Sequence, residues 1–262
     1  MPGKRTLPQS SRPGRLLAPE RRGPDGTVFE MDALARGFRR IAGVDEVGRG
    51  PLARPVVAAA VVFEPGIFNP DIKDSKLLTP KKRERLAGWI QDGAAFWAVG
   101  VADPSEIDRL NILRASLLAM ARAVRGLKVA PDYLMIDGPY GIPTASLLDD
   151  GGPWTAPPAQ RTIKGGDRVC FSIAAASIIA KVARDRMMVE LDAAYPEYGF
   201  ARHKGYRSRR HSEALDRYGP CPVHRRSFKP VRESWDQHAS DSVERAGGGL
   251  PLPLSGARKR DG

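Results

Sequence analysis

Eight consecutive apolar residues, Val56 to Phe63, form the longest unbroken hydrophobic run in the chain. A run this long, rich in β-branched valine and without a polar face, reads as a buried strand. It falls far short of the roughly 20 residues that an apolar helix needs to cross a bilayer, which excludes a membrane-spanning protein. Ile41 to Val47 reads as a short strand beside it, closed by Gly48-Arg49-Gly50-Pro51. A third strand is expected over residues 94–101 and a fourth over Tyr133 to Ile136.

Between and after these strands the pattern turns helical. Thr79-Pro80 opens a charged helix reaching about Gln91, with Thr79 as N-cap and Pro80 in the first turn. Ile107, Leu110, Leu113, Leu117, Met120 and Val124 make one stripe at helical spacing, which predicts a single helix over 107–127. Residues 139–160 read as a loop or insertion. Ser172 to about Ala194 reads as a long helix whose Ala174, Ala175, Ala176 and Ser177 allow close approach to a sheet. A further helix is expected over Arg209 to Tyr218. Short connections join the first three strands and helices separate the later ones. This order predicts an α/β fold: a mixed sheet, part antiparallel and part parallel, flanked by helices.

Charge divides the chain. Residues 201–230 hold nine basic and two acidic side chains, and residues 1–40 hold nine and four, whereas the stretch between them is neutral. Basic charge concentrated beside a neutral body predicts a face for a polyanion. The expected organisation is a disordered basic tail over 1–37, a folded domain over 38–200, a basic helical extension over 201–236 that would meet the polyanion, and a disordered tail over 237–262. The first segment lacks the apolar core of a secretory signal. Two cysteines, Cys170 and Cys221, make no disulfide framework and suit a reducing compartment, so a cytoplasmic location is expected.

Four histidines and two cysteines, as they are spaced, support neither a Ser–His–Asp nor a Cys–His hydrolase. His203, His211 and His224 do not follow zinc-ligand spacing and are assigned to helix packing or phosphate-facing positions. Acid, by contrast, sits where acid is costly. Asp45 and Glu46 interrupt an apolar strand between Val44 and Val47, and Asp137 ends another after Leu134-Met135-Ile136. Each is a turn or cap, an ion pair, or a metal ligand. Two such sites in one domain favour the metal reading, and oxygen donors without sulfur or imidazole favour Mg²⁺ or Mn²⁺ over zinc. Adjacent strand residues face opposite ways, so Asp45 and Glu46 reach one site only if the strand twists, bulges or ends there.

The segment Gly43-Val44-Asp45-Glu46-Val47-Gly48-Arg49-Gly50-Pro51 resembles the opening motif of the ribonuclease HII family. Asp74-Ser75-Lys76-Leu77-Leu78, Ile107-Asp108-Arg109-Leu110-Asn111-Ile112 and Ile136-Asp137-Gly138 resemble its next blocks. The helix from Ser172 to Val182, the stretch from Tyr195 to Phe200 leading into His203-Lys204-Gly205-Tyr206, and His224-Arg225-Arg226-Ser227-Phe228 complete the series in family order over roughly residues 40–232. The resemblance implies a ribonuclease H-like fold with a C-terminal helical extension. It also implies hydrolysis of the RNA strand of RNA–DNA hybrids, incision 5′ of single ribonucleotides in duplex DNA, and 5′-phosphomonoester products, as in ribonucleotide excision repair and RNA primer removal.

Asp45, Glu46 and Asp137 map onto three of the family's four carboxylates, which hold two divalent ions, Mn²⁺ or Mg²⁺, during catalysis. Counting back without gaps from Lys181 places the fourth on Asp167, after an extra glycine in Lys164-Gly165-Gly166. Asp185 is the rival, with a surface ion pair to Arg184 or Arg186 as its simpler account. Gly48, Arg49 and Gly50 are implied to contact the scissile phosphate, and Tyr206 to read the ribose-to-deoxyribose junction. Lys76, Ser177, Lys181, Arg225 and Arg226 are further candidates for substrate contact. The implied partners are hybrid and ribonucleotide-containing duplexes and DNA replication or repair proteins, with a monomeric protein and no membrane. Another two-metal nuclease, such as an integrase or resolvase, and a non-catalytic nucleic-acid-binding protein of the same fold are the rival readings.

Overall fold

The computed structural model describes residues 26–148 and 156–247. Strands β1 (Ile41–Val47), β2 (Val56–Val62), β3 (Phe96–Ala102), β4 (Tyr133–Asp137) and β5 (Ala159–Ile163) form one sheet in the order β3-β2-β1-β4-β5. β1–β2 and β2–β3 are antiparallel, whereas β1–β4 and β4–β5 are parallel. The helices are α1 (Val28–Ala35), α2 (Pro80–Gly93), α3 (Pro104–Leu110), α4 (Ile112–Arg125), α5 (Thr144–Leu147), α6 (Phe171–Ala194), α7 (Phe200–His203), α8 (Arg209–Tyr218) and α9 (Lys229–Gly247).

Every residue of β2 is buried because helices cover both faces of the sheet. Ala58, Ala60 and Val62 point to one side, into a core with Ala119, Met120 and Val124 of α4. Their neighbours Ala59 and Val61 point to the other, against Ile178 and Ile179 of α6 and Leu86 and Ile90 of α2. The small residues of α6 permit the close contact expected of them. Gly43 of β1 completes it, because a Cβ there would overlap the backbone of Ser172 and Ile173.

The structure departs from the sequence pattern at five places. The connection from β2 to β3 is not short, since α2 lies within it. The helix expected over 107–127 is two helices, α3 and α4. Asn111 breaks them at φ +70° and its side chain accepts from the backbone N–H groups of Leu113 and Arg114, capping α4. β5 lies partly inside the segment read as a loop, since Ala159-Gln160-Arg161-Thr162-Ile163 is half exposed and has no apolar alternation. α1 forms within the expected N-terminal tail, with Ala33 fully buried. Its Glu30 Oε1 accepts from the backbone N–H and the hydroxyl of Ser172, each at 2.9 Å, and so caps α6 from outside. α9 continues past residue 236 to Gly247. The remaining tail residues, 1–25 and 248–262, lie outside the described residues.

The extension after residue 200 is no loose appendage. Phe200, Ala214, Leu215 and Val231 share a buried cluster with Met188 and Leu191 of α6 and with Leu52 and Ala53, just after β1.

Candidate active site

β1, β4 and β5 run parallel, so their C-terminal ends lie side by side. The β1–β4 pairing ends at Val44↔Ile136 and the β4–β5 pairing at Asp137↔Ile163. Asp45, Glu46 and Asp137 therefore stand where β1 and β4 part, and Asp167 follows β5 in a 3₁₀ turn, Gly166–Arg168. Ligands of open α/β sheets bind outside the carboxyl ends of strands, where neighbouring chains diverge. The alternation problem is resolved by the strand end. Asp45 lies opposite Ala59 and faces α6, while Glu46 lies opposite Ala58. β1 stops at Val47, and Gly48 turns the chain at φ +93°.

Each carboxylate is held by its own donor. Asp45 is 5% exposed; it accepts from the Glu46 N–H at 2.7 Å and from the Ser177 hydroxyl. Ser177 Oγ lies 2.9 Å from Ser75 Oγ. Asp137 Oδ1 accepts from the Gly166 N–H at 2.6 Å. Glu46 Oε1 is 3.3 Å from Arg49 Nη1, and Asp167 Oδ2 is 3.6 Å from Lys76 Nζ. Burial, then the charges of Glu46 and Asp137, push the Asp45 carboxyl well above its ordinary range. Burial also raises Glu46, with Arg49 opposing and Asp137 adding to the rise. Asp167 is raised by burial, then by Asp74 and Asp137, against the pull of Lys76.

Among the described residues no three His, Cys, Asp or Glu side chains lie close enough together to hold an ion as they stand. The donor set nevertheless fits a hard divalent cation. It is all oxygen, and it holds acidic groups whose mutual repulsion and burial favour a proton in the absence of another positive charge. Lys76 supplies part of that charge. Burial alone would lower its pKa, but Asp167, Asp74 and Asp45 together raise it.

The remaining candidates divide. Tyr206 is exposed and its ring lies against Gly50, since a Cβ on that glycine would meet the ring edge at 3.5 Å. Arg49 and Gly50 are exposed beside it. Ser177 binds Asp45, and Lys76 stands over Asp167. The Lys181 ammonium is paired with Asp185 at 2.7 Å. Asp185 also meets Arg83 at 3.7 Å, so the ion pair expected with Arg184 or Arg186 is made with other partners. Arg225 is corrected outright. It is fully buried and donates to the carbonyls of Gly48 at 2.6 Å, Arg49 at 2.9 Å and Arg54 at 2.8 Å, so it holds the loop rather than the substrate. Arg226 is exposed, with its guanidinium 4.0 Å from the Trp235 ring centroid. The histidines pack rather than face solvent: His211 Nε2 is 3.0 Å from His224 Nε2, and His203 stacks on His211.

Three contributors escaped the residue-by-residue reading. Asp74 and Ser75 belong to the block from which only Lys76 was chosen. Asp74 accepts from the Lys76 N–H at 2.9 Å, and Ser75 supports Ser177. Asp108 accepts from the N–H groups of Arg226 and Ser227 and from the Ser227 hydroxyl, and so ties α3 to the C-terminal extension. No local signal predicts a contact across more than 100 residues.

A family model described as Ribonuclease HII matches residues 42–231. A ribonuclease HII of Geobacter sp. strain M21 is 53% identical over 209 residues, covering 80% of this chain and 86% of the relative. Among solved structures, ribonuclease H2 from Pyrococcus horikoshii OT3 is 30% identical with a TM-score of 0.62, covering 76% of this chain and 99% of that one. An Archaeoglobus fulgidus RNase HII, solved in complex with PCNA, is 27% identical with a TM-score of 0.59, covering 72% and 95%. The motif blocks, the mixed five-stranded sheet and the acids at its parallel strand ends agree with these likenesses: the chain belongs to the ribonuclease HII family.

Proposed function

We propose that this ribonuclease H, which hydrolyses RNA in RNA–DNA hybrids, also incises duplex DNA on the 5′ side of a single embedded ribonucleotide, with Mg²⁺ or Mn²⁺ held by Asp45, Glu46, Asp137 and Asp167. One observation carries the reading. The acidic fork at the ends of β1, β4 and β5 runs through the buried Gly48 into the exposed Arg49-Gly50 turn, and the Tyr206 ring rests against Gly50. When bound, divalent ions supply the Lewis acidity that polarises the scissile phosphate and activates water. The protein's own groups orient the reactants. Ser177 and the Glu46 N–H fix Asp45, the Gly166 N–H fixes Asp137, and Lys76 places a positive charge beside the phosphate track. Only the 2′-hydroxyl distinguishes the junction nucleotide chemically, and the exposed Tyr206 phenol beside Gly50 is the group that reads it. Arg202, Arg207 and Arg210 of the extension are exposed and form a backbone-holding strip. A cytoplasmic monomer that meets replication or repair proteins fits this reading, as the PCNA-bound Archaeoglobus relative suggests for its own case.

The test is incision of a labelled duplex holding one ribonucleotide, with either metal, beside an all-DNA duplex and the Asp45→Asn protein. A cut 5′ of the ribonucleotide, absent from both controls, is expected, with at least a 100-fold loss in Asp45→Asn, on the scale seen when an electrostatic group of an active site is removed. Undiminished cutting by Asp45→Asn, or no cut by the parent despite tight binding, overturns the reading.

A further inference from the structure

Two arginines lie fully buried beneath the substrate loop. Arg225, from the C-terminal extension, donates to the carbonyls of Gly48, Arg49 and Arg54. Arg184, from α6, donates to the carbonyls of Lys204 at 3.0 Å, Pro55 at 3.3 Å and Ala53 at 3.4 Å. It also packs under Gly48, where a Cβ would overlap its Nε. Among the described residues neither guanidinium makes a salt bridge. A buried cation without a carboxylate partner is costly, and evolution usually supplies the counter-charge. Here the hydrogen-bond partners are backbone carbonyls, and the Phe228 ring centroid lies 5.1 Å from the Arg225 guanidinium.

The direction of those dipoles matters. A trans peptide is planar, with its C=O and the following N–H pointing opposite ways. Carbonyls of Gly48 and Arg49 turned inward onto Arg225 therefore turn the N–H groups of Arg49 and Gly50 outward, on the exposed face beside Tyr206. Consecutive outward N–H groups form an anion-binding concavity. Arg184 fixes the other side of the same surface through Lys204, whose φ is +52°, two residues before Tyr206. Leu52 N–H donates to the Gly205 carbonyl at 2.8 Å and joins the two segments.

We infer that Arg225 is a positioning residue for junction recognition: with Arg184 it sets the peptide planes of residues 48–50 so that the Arg49 and Gly50 N–H groups bind the scissile phosphate, whose charge then offsets the two buried guanidinium groups. The inference rests on the junction-incision reading above.

Arg225→Met and Arg225→Lys are compared with the parent protein for steady-state incision of the one-ribonucleotide duplex, and for Kd of the same duplex without divalent metal. Circular dichroism and melting temperature select conditions where each is folded. For Arg225→Met we expect KM and Kd to rise roughly tenfold, about the worth of one charge-assisted hydrogen bond, with a smaller fall in kcat. Arg225→Lys, which keeps the charge but not the planar fork, lies between the two. A purely structural role would lower kcat through the active fraction and leave KM alone. That result overturns the inference, as does parent-like KM and Kd in folded Arg225→Lys should Arg225→Met fail to fold. If the parent itself binds but does not cut, the functional reading has failed, and Kd alone decides the clamp.

Discussion

Asp45 has few places to put its charge. Its carboxyl is buried, the charges of Glu46 and Asp137 act against its ionisation, and its fixed donors are one hydroxyl and one backbone N–H. Burial and like charge raise its proton affinity above that of the unfolded chain. The folded protein therefore holds a proton that the unfolded chain releases, and this contribution to stability is lost as the pH rises above the unfolded carboxylate value. At pH 7 without divalent metal, Asp45 is a net cost. Asp45→Asn removes the charge and keeps a side chain of the same shape. We expect it to melt at a higher temperature than the parent in chelator, by roughly 2–4 °C per kcal/mol relieved, while it loses activity. A lower melting temperature would show that the carboxylate stabilises the empty site.

At the level of elements, Asn111 does two tasks. It ends α3 in a left-handed conformation, and its side chain caps α4 through two backbone N–H groups. Glycine can take the backbone angle without the cap, and alanine can take neither at low cost. Denaturant unfolding should find Asn111→Ala destabilised by about 1–2 kcal/mol and Asn111→Gly by less. An equal loss in both would place the effect in the cap alone. The apolar stripe over 107–124 gave no hint of this break, because each turn of a helix contributes to the stripe whether or not the axis continues. The start of α2 at Thr79-Pro80 was legible, since a cap and a first-turn proline are local signals. β5 was not, because an edge strand needs pairing partners more than it needs apolar residues.

Across the whole molecule, the C-terminal extension is bound to the catalytic sheet by buried polar groups. His211 and His224 lie between Phe200, Tyr198 and Cys221, and His211 Nδ1 is 3.0 Å from the Tyr206 carbonyl oxygen. Burial draws His211 down to about 4 and His224 to about 3, with His211 and His203 adding to the latter. The unfolded chain, whose histidines titrate near 6.5, takes up protons first as the pH falls. Stability is thus complete above about 6.5 and is lost on acidification towards about 4 for His211 and about 3 for His224, by about 1.4 kcal/mol per pH unit for each histidine. Thermal melts between pH 7.5 and 4.5 should show a steep fall below 6.5, and a flat profile there would mean that the histidines are hydrated.

What the sequence determined by itself was four of the five strands and three of the acids at their ends. Strands and caps are written in local periodicity, and Asp45, Glu46 and Asp137 stand out because charge beside apolar strands is costly wherever the chain goes, whereas Asp167, in a polar glycine turn, is reached only through the family resemblance. What the cations do was decided only by tertiary structure. Lys76, Lys181, Arg225 and Arg226 are alike as sequence candidates. One stands over Asp167, one pairs with Asp185, one is sealed beneath the Gly48-Arg49 carbonyls, and one lies on Trp235. The role of a long, flexible side chain with a fixed charge is set by the burial and the partners it meets. For Arg225 the Gly48 carbonyl lies 177 positions away along the chain.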